Sequence, residues 1–141
     1  MKRNLVMFII VTMLVGICVG CQNDNQSNSE VSDDLTTKQL EKFYPGNITN
    51  VDSIEMISGS NGNRKVINNP VEIKEWLEKI RHLVIVPDPK QEESSGVLFH
   101  VTLFEKEQEK LYITPTSINH NPIKPNPKLA SLMKELYRDE K

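Results

Sequence analysis

Two pairs of short segments with β-branched or alternating apolar side chains predict two hairpins. The first pair, residues 48–57 and 64–68, is joined by a run of turn-forming residues containing an Asn-Gly pair, which favours a tight hairpin turn. The second pair, residues 97–104 and 111–114, is joined by the charged run 105–110. We therefore expect four strands arranged as two successive hairpins.

A helix is predicted after each hairpin, because apolar side chains recur there every three to four residues. Asn69-Pro70 starts the first helix with a capping residue and a proline, and Glu72 stands in capping-box register with Asn69. Asn126-Pro127 starts the second helix in the same way. The apolar positions are Ile73, Trp76, Leu77, Ile80 and Val84 in the first helix, and Leu129, Leu132, Met133, Leu136 and Tyr137 in the second.

The order ββαββα predicts an α+β fold in which a four-stranded antiparallel sheet carries both helices on one face. This domain spans residues 47–141. Before it, residues 35–46 are predicted to form a short helix or linker, because Leu40, Phe43 and Tyr44 lie at helical spacing and Pro45-Gly46 ends the pattern. Residues 115–126, rich in proline and asparagine, are predicted to be a long loop.

The amino terminus has the layout of an export signal. Lys2 and Arg3 are followed by an uncharged, largely apolar run from Leu5 to Val19, which is shorter than the roughly 20 residues that cross a bilayer. The run ends in a small residue before a cysteine, Gly20-Cys21, and so resembles the lipobox of bacterial lipoproteins. That resemblance implies that residues 1–20 are a cleaved signal peptide and that Cys21 carries a diacylglyceryl group.

The sequence departs from the lipobox pattern at one position, where Cys18 replaces the usual leucine. The alternatives are an uncleaved short anchor, or two thiols free to form a disulfide. The resemblance to lipoproteins implies that the protein lies on the extracytoplasmic side of the cell membrane, with the membrane as its partner through the lipid anchor. Two acyl chains suffice for stable anchoring, whereas one does not.

Residues 21–34 are predicted to be a disordered tether, because Val31 is the only apolar residue after Cys21 in this run. As a flexible coil, the tether spans on the order of 20 Å. Loss of Lys2 and Arg3 with the signal changes the formal net charge from −2 to −4. A mildly acidic mature chain argues against nucleic acid, or an anionic lipid surface, as the main partner.

The order of elements in the domain, with its "PDP" loop, its "FHVTLF" strand and its leucine-rich last helix, resembles small uncharacterised YhfM-like lipoproteins of Bacillus and its relatives. The resemblance covers residues 48–137 and rests on pattern. It implies a domain outside the membrane, and it supplies no catalytic residues to transfer.

Candidate chemistry is sparse. The three histidines, His82, His100 and His120, form no pair at ligand spacing, and the acidic run 88–93 lacks the spacing of a calcium loop. Ser94 has neither a nucleophile elbow nor an assignable base. We therefore predict no metal, no cofactor and no catalytic residue, and we expect a protein that is not an enzyme.

The predicted sheet leaves one face without helices, and that face would carry Leu98, His100, Thr102, Phe104 and Tyr112, an unusually aromatic set for bare solvent. We expect a binding or interaction module for an envelope protein or a small ligand. The alternative is an inhibitor, or a regulatory or stress-sensing lipoprotein, of an envelope enzyme. The candidate contact residues are His100, Tyr112, Asn119 and His120.

Overall fold

A computed structural model of the chain describes residues 36–91 and 98–138. The predicted signal peptide, the predicted lipidation site at Cys21, the predicted tether, and the serines and glutamates of residues 92–97 lie outside them. The strands are β1 (Lys38–Gln39), β2 (Ser53–Ser58), β3 (Arg64–Ile67), β4 (Val84–Ile85), β5 (Phe99–Glu105), β6 (Gln108–Thr114), β7 (Ser117–Ile118) and β8 (Asn121–Pro122). The helices are α1 (Pro70–Ile80) and α2 (Pro127–Arg138), with 3-10 helices at Leu40–Phe43 and Ile48–Asn50.

The main sheet has six antiparallel strands in the order β3-β2-β5-β6-β7-β8, and β1 pairs with β4 in a separate two-stranded sheet. The predicted four-stranded sheet in ββαββα order is therefore wrong. Both predicted hairpins are present, as β2 with β3 and β5 with β6. Two segments that were not predicted to form strands do so: residues 115–126 add two strands to the main sheet, and residues 36–44 supply β1 of the separate sheet.

The first of these segments is residues 115–126, which was predicted to be a loop. A two-residue turn at Asn119 and His120, both with positive φ (47° and 64°), joins β7 to β8. Such a turn matches the twist of the flanking strands, and asparagine and histidine tolerate positive φ better than most residues. Pro122 lies in β8 at the end of the strand order, where the ladder needs no proline N–H.

The second segment is residues 36–44, which was predicted to be a short helix or linker. It forms β1 and a 3-10 helix, and the Leu40 N–H donates to the Leu83 carbonyl at 2.9 Å. Leu40 is fully buried and Tyr44 nearly so, and both belong to the same core as the sheet and the helices. The segment is thus part of the folded unit.

Both predicted helices are present, and each begins at its predicted asparagine. The Asn69 side chain accepts from the Val71 N–H at 2.9 Å, and the Asn126 side chain accepts from the Leu129 N–H at 3.1 Å. The first helix ends at Ile80, earlier than its apolar stripe suggested, and Val84 lies exposed in β4. The helical interpretation of Val84 is therefore wrong.

The core lies between the two helices and one face of the main sheet. Trp76 of α1 donates from Nε1 to the Leu132 carbonyl of α2 at 3.1 Å, which joins the helices inside the core. Lys65 of β3 donates from Nζ to the Leu136 carbonyl at 2.8 Å, where a cation interacts favourably with the helix carboxyl end. The sheet contributes alternate positions of its strands to this core: Ile54, Met56, Ile67, Val101, Leu103, Leu111, Ile113 and Ile118.

Candidate functional site

The face of the main sheet that points away from both helices holds the candidate residues, and we call it the open face. Along β5, Val101 and Leu103 are fully buried, while the alternating His100, Thr102 and Phe104 are only half-buried. This alternation is the one predicted from the sequence. It follows from the two-residue period of a strand, which sends neighbouring side chains to opposite faces.

Tyr112 is the centre of the site. Its hydroxyl forms a hydrogen bond with Nδ1 of His100, and the two ring centroids lie 5.8 Å apart. The phenol donates when Nδ1 is unprotonated and accepts when Nδ1 carries a proton. Tyr112 pairs directly with Thr102 on the adjacent strand. His100, two residues before Thr102, is therefore a diagonal neighbour of Tyr112 on the same face of the sheet.

The turn between β7 and β8 brings the other two candidates to the same tyrosine. The Asn119 N–H donates to the Tyr112 carbonyl at 2.8 Å, and the Tyr112 N–H donates to the Asn119 side-chain oxygen at 3.0 Å. The His120 ring stacks on the Tyr112 ring, with centroids 4.6 Å apart and an angle of 18° between the planes. Both turn residues are exposed, so one face of this stack is open to a ligand.

All four candidate residues, His100, Tyr112, Asn119 and His120, thus form one contiguous cluster, which we call the tyrosine cluster. His82, the third histidine, is elsewhere: it is exposed in the turn that follows α1. The tyrosine cluster combines planar rings for stacking with an amide and imidazole nitrogens for hydrogen bonds. Planar rings stack on planar groups, and the amide and the imidazole nitrogens form hydrogen bonds with polar groups.

The segment 36–44 does not cover the open face. Leu40 and Tyr44 pack into the core on the helix side of the sheet, and the Glu41 N–H donates to the Arg81 carbonyl at 3.0 Å. Packing of that segment on the open face would have removed the proposed surface. Its position instead leaves Ile57 and Val66 of the hairpin strands 37% and 48% exposed on the open face.

The first hairpin contributes residues that the sequence interpretation did not single out. Ile57 of β2 is the cross-strand partner of His100, which extends the tyrosine cluster across the sheet. Beyond it, a groove of about 650 Å³ is lined by Val66, Phe104 and the ion pair between Glu55 and Arg64. The alternation of apolar residues along the first hairpin could have predicted that Ile57 and Val66 face outward. Their position beside His100 could not be predicted without the register of β2 against β5.

A second groove, also of about 650 Å³, lies away from the open face between α1 and the 3-10 helix Ile48–Asn50. Its floor is apolar, with Ile48, Ile73 and Leu77, and its rim carries Lys74 and Arg81. Arg81 already forms an ion pair with Glu41 at 3.2 Å. The groove is therefore less suited to a negatively charged ligand than the number of its basic residues suggests.

Among the described residues, two ionisable groups have a perturbed pKa, and both are structural. Burial raises the pKa of Tyr44 strongly, and its hydrogen bond to Glu105 at 3.0 Å adds to the effect. The hydrogen bond and charge of Lys79 lower the pKa of the exposed Glu135. Tyr44 belongs to the core and Glu135 joins the two helices, so neither marks a catalytic group at the tyrosine cluster.

Within residues 36–91 and 98–138, no three histidine, cysteine, aspartate or glutamate side chains converge in a way that could hold a metal ion. Across the same part of the chain, no helix is both long enough and apolar enough to cross a membrane.

Comparison with known protein families finds no family model that matches the chain. Comparisons with curated proteins and with solved structures find no match either. The resemblances to lipoproteins and to YhfM-like proteins therefore stay predictions from the sequence.

Proposed function

We propose that the chain is an extracytoplasmic lipoprotein, held at the cell membrane by a diacylglyceryl group on Cys21, and that its α+β domain is a small, non-enzymatic binding module. The anchor is supported by the sequence alone: two basic residues, an uncharged run and a small residue directly before Cys21. The polar stretch that follows is suited to a tether between the membrane and the domain.

The binding surface is the open face, and the tyrosine cluster is the observation that supports it. Three rings and an amide from two strands, β5 and β6, and from the β7–β8 turn meet there without a covering element among the described residues. Exposed apolar side chains at Ile57 and Val66 continue the surface. The partner is an envelope protein or a small ligand rather than nucleic acid, since the mature chain carries a formal net charge of −4.

Hydrogen–deuterium exchange tests this surface. The protein is compared with and without a detergent-solubilised envelope fraction, and we expect slower exchange in peptides from β5, β6 and the β7–β8 turn. Ile57→Glu places a charge on the open face and should abolish the slowing, whereas Val71→Glu, a 63% exposed valine in the first turn of α1, should preserve it. Equal slowing in both variants, or none in the wild-type protein, would rule out the open face as the contact.

Cell fractionation tests the anchor separately. Cys21→Ala should leave an unprocessed precursor or release the protein from the membrane, because the lipid acceptor is gone. Cys18→Ala is the matched control, and it should be processed and retained as in the wild type. Unchanged mass and membrane retention in Cys21→Ala would show that the protein is held in some other way.

A further inference from the structure

The described residues begin beside one edge of the domain. β1, which starts two residues after Thr36, pairs with β4. The segment around β4 is held on its other side by two hydrogen bonds: Lys124 N–H donates to the Val86 carbonyl at 2.8 Å, and Asn126 Nδ2 donates to the Val84 carbonyl at 3.3 Å. This edge is therefore where the chain coming from Cys21 enters the folded domain.

The surface of this edge combines one apolar side chain with lysines. Val84 is 57% exposed. Lys42 lies in the 3-10 helix bonded to the segment before β4, Lys124 lies in the segment after β8, and Lys128 lies in the first turn of α2, all of them exposed. We call Lys42, Val84, Lys124 and Lys128 the entry edge.

Arg81 partly offsets the carboxylates beside Lys42. Arg81, directly after α1, pairs with Glu41 at 3.2 Å and with Glu78 at 2.9 Å. Glu41 lies in the same 3-10 helix as Lys42, with its Oε1 4.0 Å from Lys42 Nζ, and Glu78 lies in α1. The three lysines of the entry edge and Arg81 together exceed these two carboxylates by two charges, so the edge keeps a positive local charge.

The acidity of the whole chain does not belong to the described domain. Residues 36–141 contain 15 lysines and arginines and 15 acidic residues, whereas residues 22–35 contain four acidic residues and no basic one. The tether therefore carries the formal charge of −4 of the mature chain, and the domain has no formal net charge. The acidity of the mature chain therefore does not by itself keep the domain from an anionic surface.

We propose that the entry edge docks on anionic phospholipid headgroups of the membrane to which Cys21 is attached. This inference rests on the proposed anchor. About 15 residues separate Cys21 from Thr36, a reach of at most about 50 Å, so the edge is held at high effective concentration beside the headgroups. Each lysine close to an anionic leaflet strengthens association about fivefold, and Val84 enters the interface among them.

Docking fixes the orientation of the binding module. β4 is joined to the β8 end of the main sheet through the bridge between Pro87 and Ile123, whereas β3 forms the opposite edge. The domain would then stand on its β8 end, with the first hairpin farthest from the membrane. The open face would run upward from the headgroups and remain accessible to a partner in the envelope.

Fluorescence quenching on the lipidated protein in vesicles tests the docking. A polarity-sensitive dye is placed at Val84→Cys, and at Ser60→Cys in the exposed turn between β2 and β3 as the distant control. In vesicles of phosphatidylcholine with 30% phosphatidylglycerol, we expect iodide to quench the dye at position 84 at least threefold less than the dye at position 60. The protection should disappear in pure phosphatidylcholine and at high salt, because it is electrostatic.

Charge variants complete the test. Lys124→Glu with Lys128→Glu should abolish the protection at position 84, whereas Lys74→Glu with Lys106→Glu, two exposed lysines outside the entry edge, should leave it intact. Equal quenching at positions 84 and 60 in anionic vesicles, for a protein that still floats with them, overturns the docking and leaves the anchor standing. A protein that does not float with vesicles overturns the anchor and the docking with it.

Discussion

Leu40 provides a sharp test of the fold because it is fully buried yet comes from a segment that resembles a linker in the sequence. Leu40→Ala removes three carbon atoms, which corresponds to about 2.4 kcal/mol of transfer free energy at about 0.8 kcal/mol each. The cavity left behind raises the expected loss in the free energy of unfolding to about 2.5–5 kcal/mol. For a domain of about 100 residues, this lowers the melting temperature by at least about 10 °C.

The assay is urea unfolding of the wild type, Leu40→Ala and Lys42→Ala, followed by the fluorescence of Trp76. Lys42 lies in the same 3-10 helix but is exposed, so its truncation should change the free energy of unfolding by no more than about 0.5 kcal/mol. If Leu40→Ala unfolds within 0.5 kcal/mol of Lys42→Ala, residues 36–44 do not belong to the core and the described fold is incorrect there.

Three further substitutions probe the packing around the site. Asn119→Ala should destabilise the domain by about 1–2 kcal/mol, because it removes the acceptor for the Tyr112 N–H and leaves a β-carbon at positive φ; Asn119→Gly should recover part of this loss in thermal unfolding. Lys65→Met should cost about 1 kcal/mol in urea unfolding, since it leaves the last carbonyls of α2 without their cation, and no loss would contradict that contact. The raised pKa of Tyr44 in the folded state means that its contribution to stability is complete below the unfolded pKa of about 10 and is lost as pH rises through the folded value; Tyr44→Phe should therefore reduce the loss of stability above about pH 10, and an unchanged alkaline profile would contradict the effect of burial and Glu105.

The local elements were predictable wherever one residue carries a strong signal. Asn-Pro pairs mark the first turns of both helices, because an asparagine cap and a proline without an N–H fit the unsatisfied amino end of a helix. The Asn-Gly pair at residues 61–62 lies in the turn of the first hairpin, where Gly62 has a φ of 71°. These signals act within a few residues, so they need no knowledge of the fold.

The extent of the sheet was not predictable in this way. β7 and β8 have two residues each, too few to show a period, and their turn uses Asn119 and His120 rather than a glycine. Similarly, β1 exists because β4 lies beside it, and β4 looked like the end of a helix. Whether such short segments form strands depends on pairing with distant parts of the chain rather than on their own side chains.

The tyrosine cluster was predictable in its members and not in its geometry. The alternation along β5 places His100 outward, and the polar loop drew attention to Asn119 and His120. His120 stacks on Tyr112 because a two-residue turn pairs β8 with β7. No pattern in the sequence predicts this turn. Because of this turn, residues 115–126, which were predicted to be a loop, form part of the open face.

Site-specific photo-crosslinking in cells tests most directly the central claim that the open face is the contact surface of a tethered module. A benzoylphenylalanine at position 57, opposite His100, should yield a discrete crosslinked product with an envelope component on irradiation. The same residue at position 131, an exposed serine of α2, should yield none. Addition of Tyr112→Ala should remove the product at position 57. A product of equal intensity at position 131, or persistence of the position 57 product without Tyr112, would contradict the account.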